Sequence, residues 1–188
     1  MNPLFAAAAD VQAFFSSLGW RSTVIGGLAV QRWGEPRQTR DVDLALLTGL
    51  GGEGAFVDPI LGRYRSRIPE ARQFALEHRV VLIETSSGIP VDVSLAGLPF
   101  EARVIDRSGP FEVSDGMTFD TCSAEDLLVL KAFAGRVQDW LDIEGVIVRQ
   151  GPRLDRALVL EELRPLLELK EDDEGVSRLV TLFTRHRP

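Results

Sequence analysis

Cysteine is nearly missing from this chain. Cys122 is the only one in 188 residues, so no internal disulfide can form and no Cys-based zinc site is expected. It follows Thr121 at an expected strand end, which suits a buried structural thiol. Histidine is scarce too: His78 and His186 have no ligand spacing to each other or to Cys122, so zinc is not expected. No apolar run reaches ~18 residues, so no membrane span is expected. The apolar start, Met1–Trp20, has no positive charge before Arg21 and contains Asp10. It reads poorly as a signal peptide, and a cytoplasmic location is the expectation. An excess of base is also lacking. There are 28 acids against 21 Lys and Arg, a charge of −7 and a pI near 4.9, so there is no global basic footprint for nucleic acid. Lysine is the rarer base: apart from Lys131 and Lys170, all are arginine. Neither a Gly-x-Ser-x-Gly elbow nor a Walker phosphate loop is present.

What is present is ordinary globular composition. At 45% hydrophobic and 26% charged residues, the chain is not disordered, collagen-like or a coiled coil. Its length fits one domain with an appended subdomain and a core burying about 70% of the extended surface.

The pattern predicts an amphipathic helix over 3–18 and a short strand over 23–26. A Gly26-Gly27 turn and a short helix over 28–33 follow, ended by Gly34 and Pro36. Residues 37–47 read as one extended strand. Weaker helices are expected over 53–64 and 69–77, and a hairpin over 79–95 turning at Ser86-Ser87-Gly88. A second hairpin over 111–120 turns at Ser114-Asp115-Gly116. Then the pattern becomes helical. Ser123 is placed to cap a helix with Glu125 and Asp126 in its first turn. Leu127, Leu128, Leu130, Trp140, Leu141 and Ile143 form its apolar face. Two further faces run through Leu154–Leu167 and Leu179–Phe183. The expected fold is α/β (α+β): a small mixed sheet with flanking helices over 1–121, then a helical subdomain over 122–188.

The chemistry is concentrated in Arg37-Gln38-Thr39-Arg40-Asp41-Val42-Asp43. On one strand, Arg37, Thr39, Asp41 and Asp43 would share a face. Neighbouring carboxylates repel, and a divalent cation is the usual compensation; Mg²⁺ takes a few carboxylate oxygens plus substrate phosphates. Asp92 is the polar residue in the apolar run Val91–Leu95. If its strand lies beside Asp41–Leu47, three carboxylates meet, a set able to hold two metals for in-line phosphoryl chemistry. Each part has a plainer reading: an exposed strand end, an ordinary Gly-Gly turn, a solvent-facing hairpin residue.

Gly26-Gly27 followed by Asp41-Val42-Asp43, with Asp92 as third carboxylate, resembles the signature of the DNA polymerase β-like nucleotidyltransferase superfamily. Arg37–Asp43 resembles its AbiEii/MenT-type branch, typically toxins of toxin–antitoxin pairs. So does the segment Lys131…Arg136…Asp139-x-x-Asp142. The resemblance covers about 20–145; the last forty residues match only as generic helices, and the chain is short for that branch. It implies an NMP moved from an NTP to an acceptor hydroxyl, with pyrophosphate released. Gly26 and Gly27 would let the backbone approach the phosphates. Asp41 and Asp43 would hold Mg²⁺ on the triphosphate. Asp92 would hold a second Mg²⁺ and help deprotonate the acceptor. Lys131 would neutralise phosphate, and Arg37 or Thr39 would contact the nucleotide or brace the carboxylates. A lysine in this position can equally snorkel to solvent, and Arg136 with Asp139 can be a helix-surface pair. RNA, such as a tRNA end, is the expected acceptor, and a cognate antitoxin the implied partner. A protein side chain, a small molecule such as an antibiotic, or a silent nucleotide-binding module are the alternatives.

Arg63, Arg65, Arg67, Arg72 and Arg79 stand against Glu70 and Glu77, a local excess of three positive charges. They form either a patch for RNA phosphates or a solvated helix-and-loop face, with Tyr64 available to stack a base. Residues 155–174 carry eight acids and three bases, so much of the negative charge belongs to the C-terminal helices.

Overall fold

The computed structural model describes residues 2–113, 116–172 and 174–186. The turn predicted at Ser114-Asp115 lies outside them. The chain divides into two compact units, one of residues 1–28 and 38–122, the other of 29–37 and 123–188. Among the described residues, no helix is long and apolar enough to cross a membrane.

The first unit is built on a seven-stranded mixed sheet. Its strands are β1 (Ser22–Ile25), β2 (Val42–Leu47), β3 (Arg65–Ser66), β4 (Val80–Glu84), β5 (Pro90–Ala96), β6 (Gly109–Glu112) and β7 (Thr118–Thr121). The spatial order is β3-β4-β5-β2-β1-β7-β6. β2 runs parallel to β5 and antiparallel to β1, and β4–β5 is the predicted hairpin.

Helix α1 (Pro3–Ser17) starts where Asn2 Oδ1 accepts the Leu4 N–H at 3.0 Å, with Pro3 in the first turn. Its Ala7, Ala8, Val11 and Phe15 recur at helical spacing and are buried against Val24, Leu44, Leu46, Val93 and Leu95. Gln12 ties this helix to two strands: its Nε2 donates to the Ser22 and Asp120 carbonyls, and its Oε1 accepts the Asp120 N–H. Helices α3 (Gly54–Arg63) and α4 (Ala71–His78) contribute Val57, Ile60 and Ala75 to the same core.

The other sheet face has a smaller cover, α5 (Pro99–Asp106), which the sequence pattern did not predict. Ile105 packs there with Ala45, Ala96, Ile25 and Leu47. This explains why Ala45 and Leu47 interrupt the alternation along β2: that end of the strand is covered on both sides. Cys122 is buried and in no disulfide, and its N–H donates to the Val24 carbonyl at 3.0 Å.

Helix α2 (Gly26–Trp33) begins two residues earlier than predicted, so the glycines form its first turn. It starts in the first unit and ends in the second. In the second unit, α6 (Ala124–Ala134), α7 (Val137–Gln150), α8 (Arg156–Lys170) and α9 (Gly175–Arg185) pack with segment 29–37. Ser123 caps α6 as predicted, its Oγ accepting the Asp126 N–H at 3.0 Å. Gly135 (φ +70°) then breaks the helix, so the single apolar face expected over 127–143 belongs to two helices. On α7 the apolar expectation for Leu141 fails: it is 59% exposed, whereas Asp139 and Asp142 are buried. Segment 29–37 is fastened to α7: Arg149 Nη1 donates to the Gly34 carbonyl at 2.6 Å and Gln150 Nε2 to the Trp33 carbonyl at 2.6 Å.

Candidate active site

The acids of the first unit meet through sheet register. Asp43 in β2 is paired with Asp92 in β5, and Ile25 in β1 lies opposite Asp43 on the other side. Val42, Leu44 and Leu46 face the large core. Asp43 and Asp92 alternate with core positions, so both lie on the α5 face, ahead of the part α5 covers. Asp41 immediately precedes β2, and its negative charge acts on Asp92. Burial pushes the Asp92 carboxyl above the ordinary aspartate value, Arg67 pulls it back, and Asp41 adds to the rise.

The long strand expected over 37–47 is corrected: β2 begins only at Val42. Its partner β1 ends at Ile25, opposite Asp43, and the chain then turns into α2. Residues 37–41 therefore have no neighbour on that side to form a ladder, and Arg37, Thr39, Asp41 and Asp43 do not share a strand face. Thr39 still braces an acid: its hydroxyl donates to Asp41 Oδ1 at 3.0 Å. Arg37 braces a different one, clasping Asp142 of α7 at 2.7 and 2.9 Å.

The two glycines earn their place by contact. Gly26 has φ +61°, and a Cβ there would lie 1.9 Å from Asp43 Oδ2. A Cβ on Gly27 would lie 2.5 Å from the Thr39 hydroxyl. The start of α2 is thus a bare backbone surface against which Asp43 and Thr39 sit.

Lys131 lies in the second unit, 5% exposed. Its Nζ is 2.8 Å from Asp139 and 2.7 Å from Asp142. Arg136 adds a 2.7 Å contact to Asp139 from an exposed position. Burial alone would raise both acids. Hydrogen bonds from Arg136 and Lys131 hold Asp139 below the ordinary value, and those from Arg37, Lys131 and Gln138 do so for Asp142. The phosphate contact expected of Lys131 would come at the expense of one of these ion pairs.

The donor set at Asp41 and Asp43 suits Mg²⁺: hard carboxylate oxygens, two in number, as this ion takes when substrate phosphates supply the rest. Asp92 is differently committed. Arg67 is ion-paired to its Oδ1, and among the described residues no three His, Cys, Asp or Glu side chains converge on one metal position. This role of Arg67 has no local signal in the sequence, since the two residues come together only through strand order.

The arginine patch is largely neutralised. Arg65 pairs with Glu84 at 3.0 Å, Arg72 with Asp58 at 2.7 Å, and Arg79 with Glu53. Tyr64 is not available to stack a base. It is buried, its hydroxyl donates to Asp10 at 3.0 Å, and its ring meets Phe14 edge-on. Burial and the Asp10 charge push its hydroxyl well above the ordinary tyrosine value.

No protein-family model and no curated protein matches the sequence. Among solved structures, the chain is similar to an antigenic nucleotidyltransferase-like protein from Paracoccidioides brasiliensis. Identity is 15% and the TM-score 0.54, over 93% of this chain and 92% of the other. It also matches the antibiotic-resistance factor ANT(2'')-Ia in solution, at 18% identity and TM-score 0.39 over 96% of this chain and 88% of that one. The crystal structure of ANT(2'')-Ia with adenylyl-2''-tobramycin matches at 19% and 0.40, over 97% and 94%. The first of these likenesses shows that the fold is nucleotidyltransferase-like.

Proposed function

We propose that the chain is a Mg²⁺-dependent nucleotidyltransferase that moves an NMP from an NTP to an acceptor hydroxyl. The observation that carries this reading is the register pairing of Asp43 with Asp92, beside Asp41 and the bare start of α2. Adjacent parallel strands stand about 4.8 Å apart, close enough for both acids to serve one substrate.

Asp41 and Asp43 would hold the ion. Once bound, it would offset the triphosphate charge and polarise the attacked phosphorus. Gly26 and Gly27 let Asp43 and Thr39 sit against the start of α2, whose backbone N–H groups would face the phosphates. Thr39 keeps Asp41 oriented. Asp92, with its raised proton affinity, accepts the proton of the acceptor hydroxyl. The acceptor oxygen then bonds to the α-phosphorus, the bond to the bridging oxygen breaks, and pyrophosphate leaves. Lys131 serves as a positioning residue within its own unit: with Arg37 it holds Asp142 and so anchors segment 29–37 to α7.

We take an RNA hydroxyl, such as a tRNA end, as the acceptor, and a toxin-like role with a cognate antitoxin. Both rest on the resemblance of Arg37–Asp43 and Lys131–Asp142 to the toxin branch. A second reading keeps the chemistry and makes the acceptor a small molecule or protein side chain. It is favoured by the pairing of Arg65, Arg72 and Arg79 with acids, which leaves little net charge for RNA phosphates.

The test is transfer of label from each α-labelled NTP, with Mg²⁺, into total tRNA, a protein lysate or a panel of hydroxylated small molecules. Label in any fraction, lost with Asp43→Asn, supports nucleotidyl transfer, and the fraction identifies the acceptor. No transfer to any of them sinks it.

A further inference from the structure

Arg67 stands just past the end of edge strand β3, yet it serves an acid two strands away. Its N–H donates to the Leu82 carbonyl at 3.0 Å, which continues the β3–β4 ladder by one residue. Leu82 is the register partner of Asp92, and Asp92 of Asp43. Arg67, Leu82, Asp92 and Asp43 therefore form one row across four strands, on one face of the sheet. Two strand spacings separate Arg67 from Asp92 at the backbone, about 9–10 Å. Only a long side chain passing the Leu82 position closes that gap. The turn behind Arg67 is fixed by Ser66, whose hydroxyl donates to the Ile68 carbonyl at 2.8 Å and accepts the Ile68 N–H at 3.1 Å.

The strength of this contact decides what it can do. The side chains of Arg67 and Asp92 are 27% and 33% exposed. A pair this open to solvent is weak and exchangeable. The Lys131 pairs, at 2–6% exposure, are not. The guanidinium lies on the carboxylate that a second cation would need, in a row of acids that otherwise repel.

We propose that Arg67 is a releasable latch on Asp92. It sits on the third carboxylate and competes with a divalent ion for it, so that Asp92 is freed only when Arg67 swings away. This rests on the nucleotidyltransferase reading of the same acids, and it identifies Arg67 as a positioning residue acting through Asp92.

The experiment titrates Mn²⁺ alone into the full chain and follows free Mn²⁺ by electron paramagnetic resonance. Arg67→Gln is expected to tighten uptake about three- to tenfold and to add an equivalent of bound ion. Arg67→Lys keeps the charge without the planar fork and falls between. Arg65→Gln, on the same strand, leaves uptake unchanged. Adding Asp92→Asn to Arg67→Gln removes the gain, which assigns it to that carboxylate. Thermal melts confirm that each variant is folded. Equal, Asp43-dependent uptake by wild type and Arg67→Gln overturns the latch and leaves the enzyme reading standing. No Asp43-dependent uptake by either protein also overturns the latch, while the enzyme reading stands or falls on the transfer of label.

Discussion

The molecule holds two groups of acids that look alike in sequence and differ in physical state. Asp139 and Asp142 lie inside the helical unit, buried, with Lys131, Arg136 and Arg37 on their oxygens. Asp43 and Asp92 lie on a partly open sheet face, with Asp41 just ahead of β2. There the cation on Asp92 is a weakly held arginine, and Asp41 repels Asp92. Burial raises the proton affinity of Asp139, Asp142 and Asp92 alike. In the helical unit hydrogen bonds reverse the shift; on the sheet they do not. A carboxylate whose proton affinity stays raised, as that of Asp92 does, suits a site that receives a cation and a phosphate.

Substitutions should separate the two clusters. The largest effect is expected from Asp43→Asn, which should lower nucleotidyl transfer by at least about 10³-fold while the chain stays folded. Initial rates and thermal melts on the same samples check it, and a stability loss matching the activity loss would erase the contrast. Lys131→Met should behave in the opposite way. Two buried carboxylates lose a shared partner, and urea unfolding should show a loss of about 3–5 kcal/mol. Gly26→Ala comes next. A methyl at φ +61° that also meets Asp43 should cost about 1–3 kcal/mol, and activity should fall with it because the acid must move. Gly19→Ala, equally left-handed but in open space, is the matched control for strain alone.

The smallest expected effect is in pH dependence, where the two groups have opposite signs. Asp139 and Asp142 are lowered, so their stabilisation is present above the unfolded aspartate value and is lost as pH falls through the folded one. Asp92 is raised. Its contribution is present below the unfolded value and is lost as pH rises through the folded one. Asp142→Asn should therefore flatten the acid limb of a stability–pH curve. Asp92→Asn should remove a loss of stability between acid and neutral pH. Identical curves for the two variants would show that the acids are not in different states.

Much of the fold was legible because local patterns carried it. The Ser86-Ser87-Gly88 hairpin and the Ser123 cap follow from turn and cap chemistry alone. Helix α5 was missed although Pro99 stands at its first position and Glu101 accepts the Gly97 and Leu98 N–H groups at 2.7 and 2.8 Å. Eight residues are too few for periodicity to stand out. The extent of β2 was overestimated because alternation describes which way side chains point, not whether a neighbouring strand exists to pair with.

The candidate residues could be read from the sequence alone: three aspartates, a Gly-Gly pair and Thr39, within strands and turns whose spacing is local. The tertiary structure alone decided partnership. Strand order put Asp92 beside Asp43 and brought Arg67 onto Asp92. Helix packing buried Lys131 with Asp139 and Asp142, and drew Arg37 to Asp142. The physical reason is range. Capping, turn chemistry and side-chain alternation act over a few residues. The charge state of a carboxylate depends on whichever group the folded chain delivers within a few ångströms, from any distance in sequence.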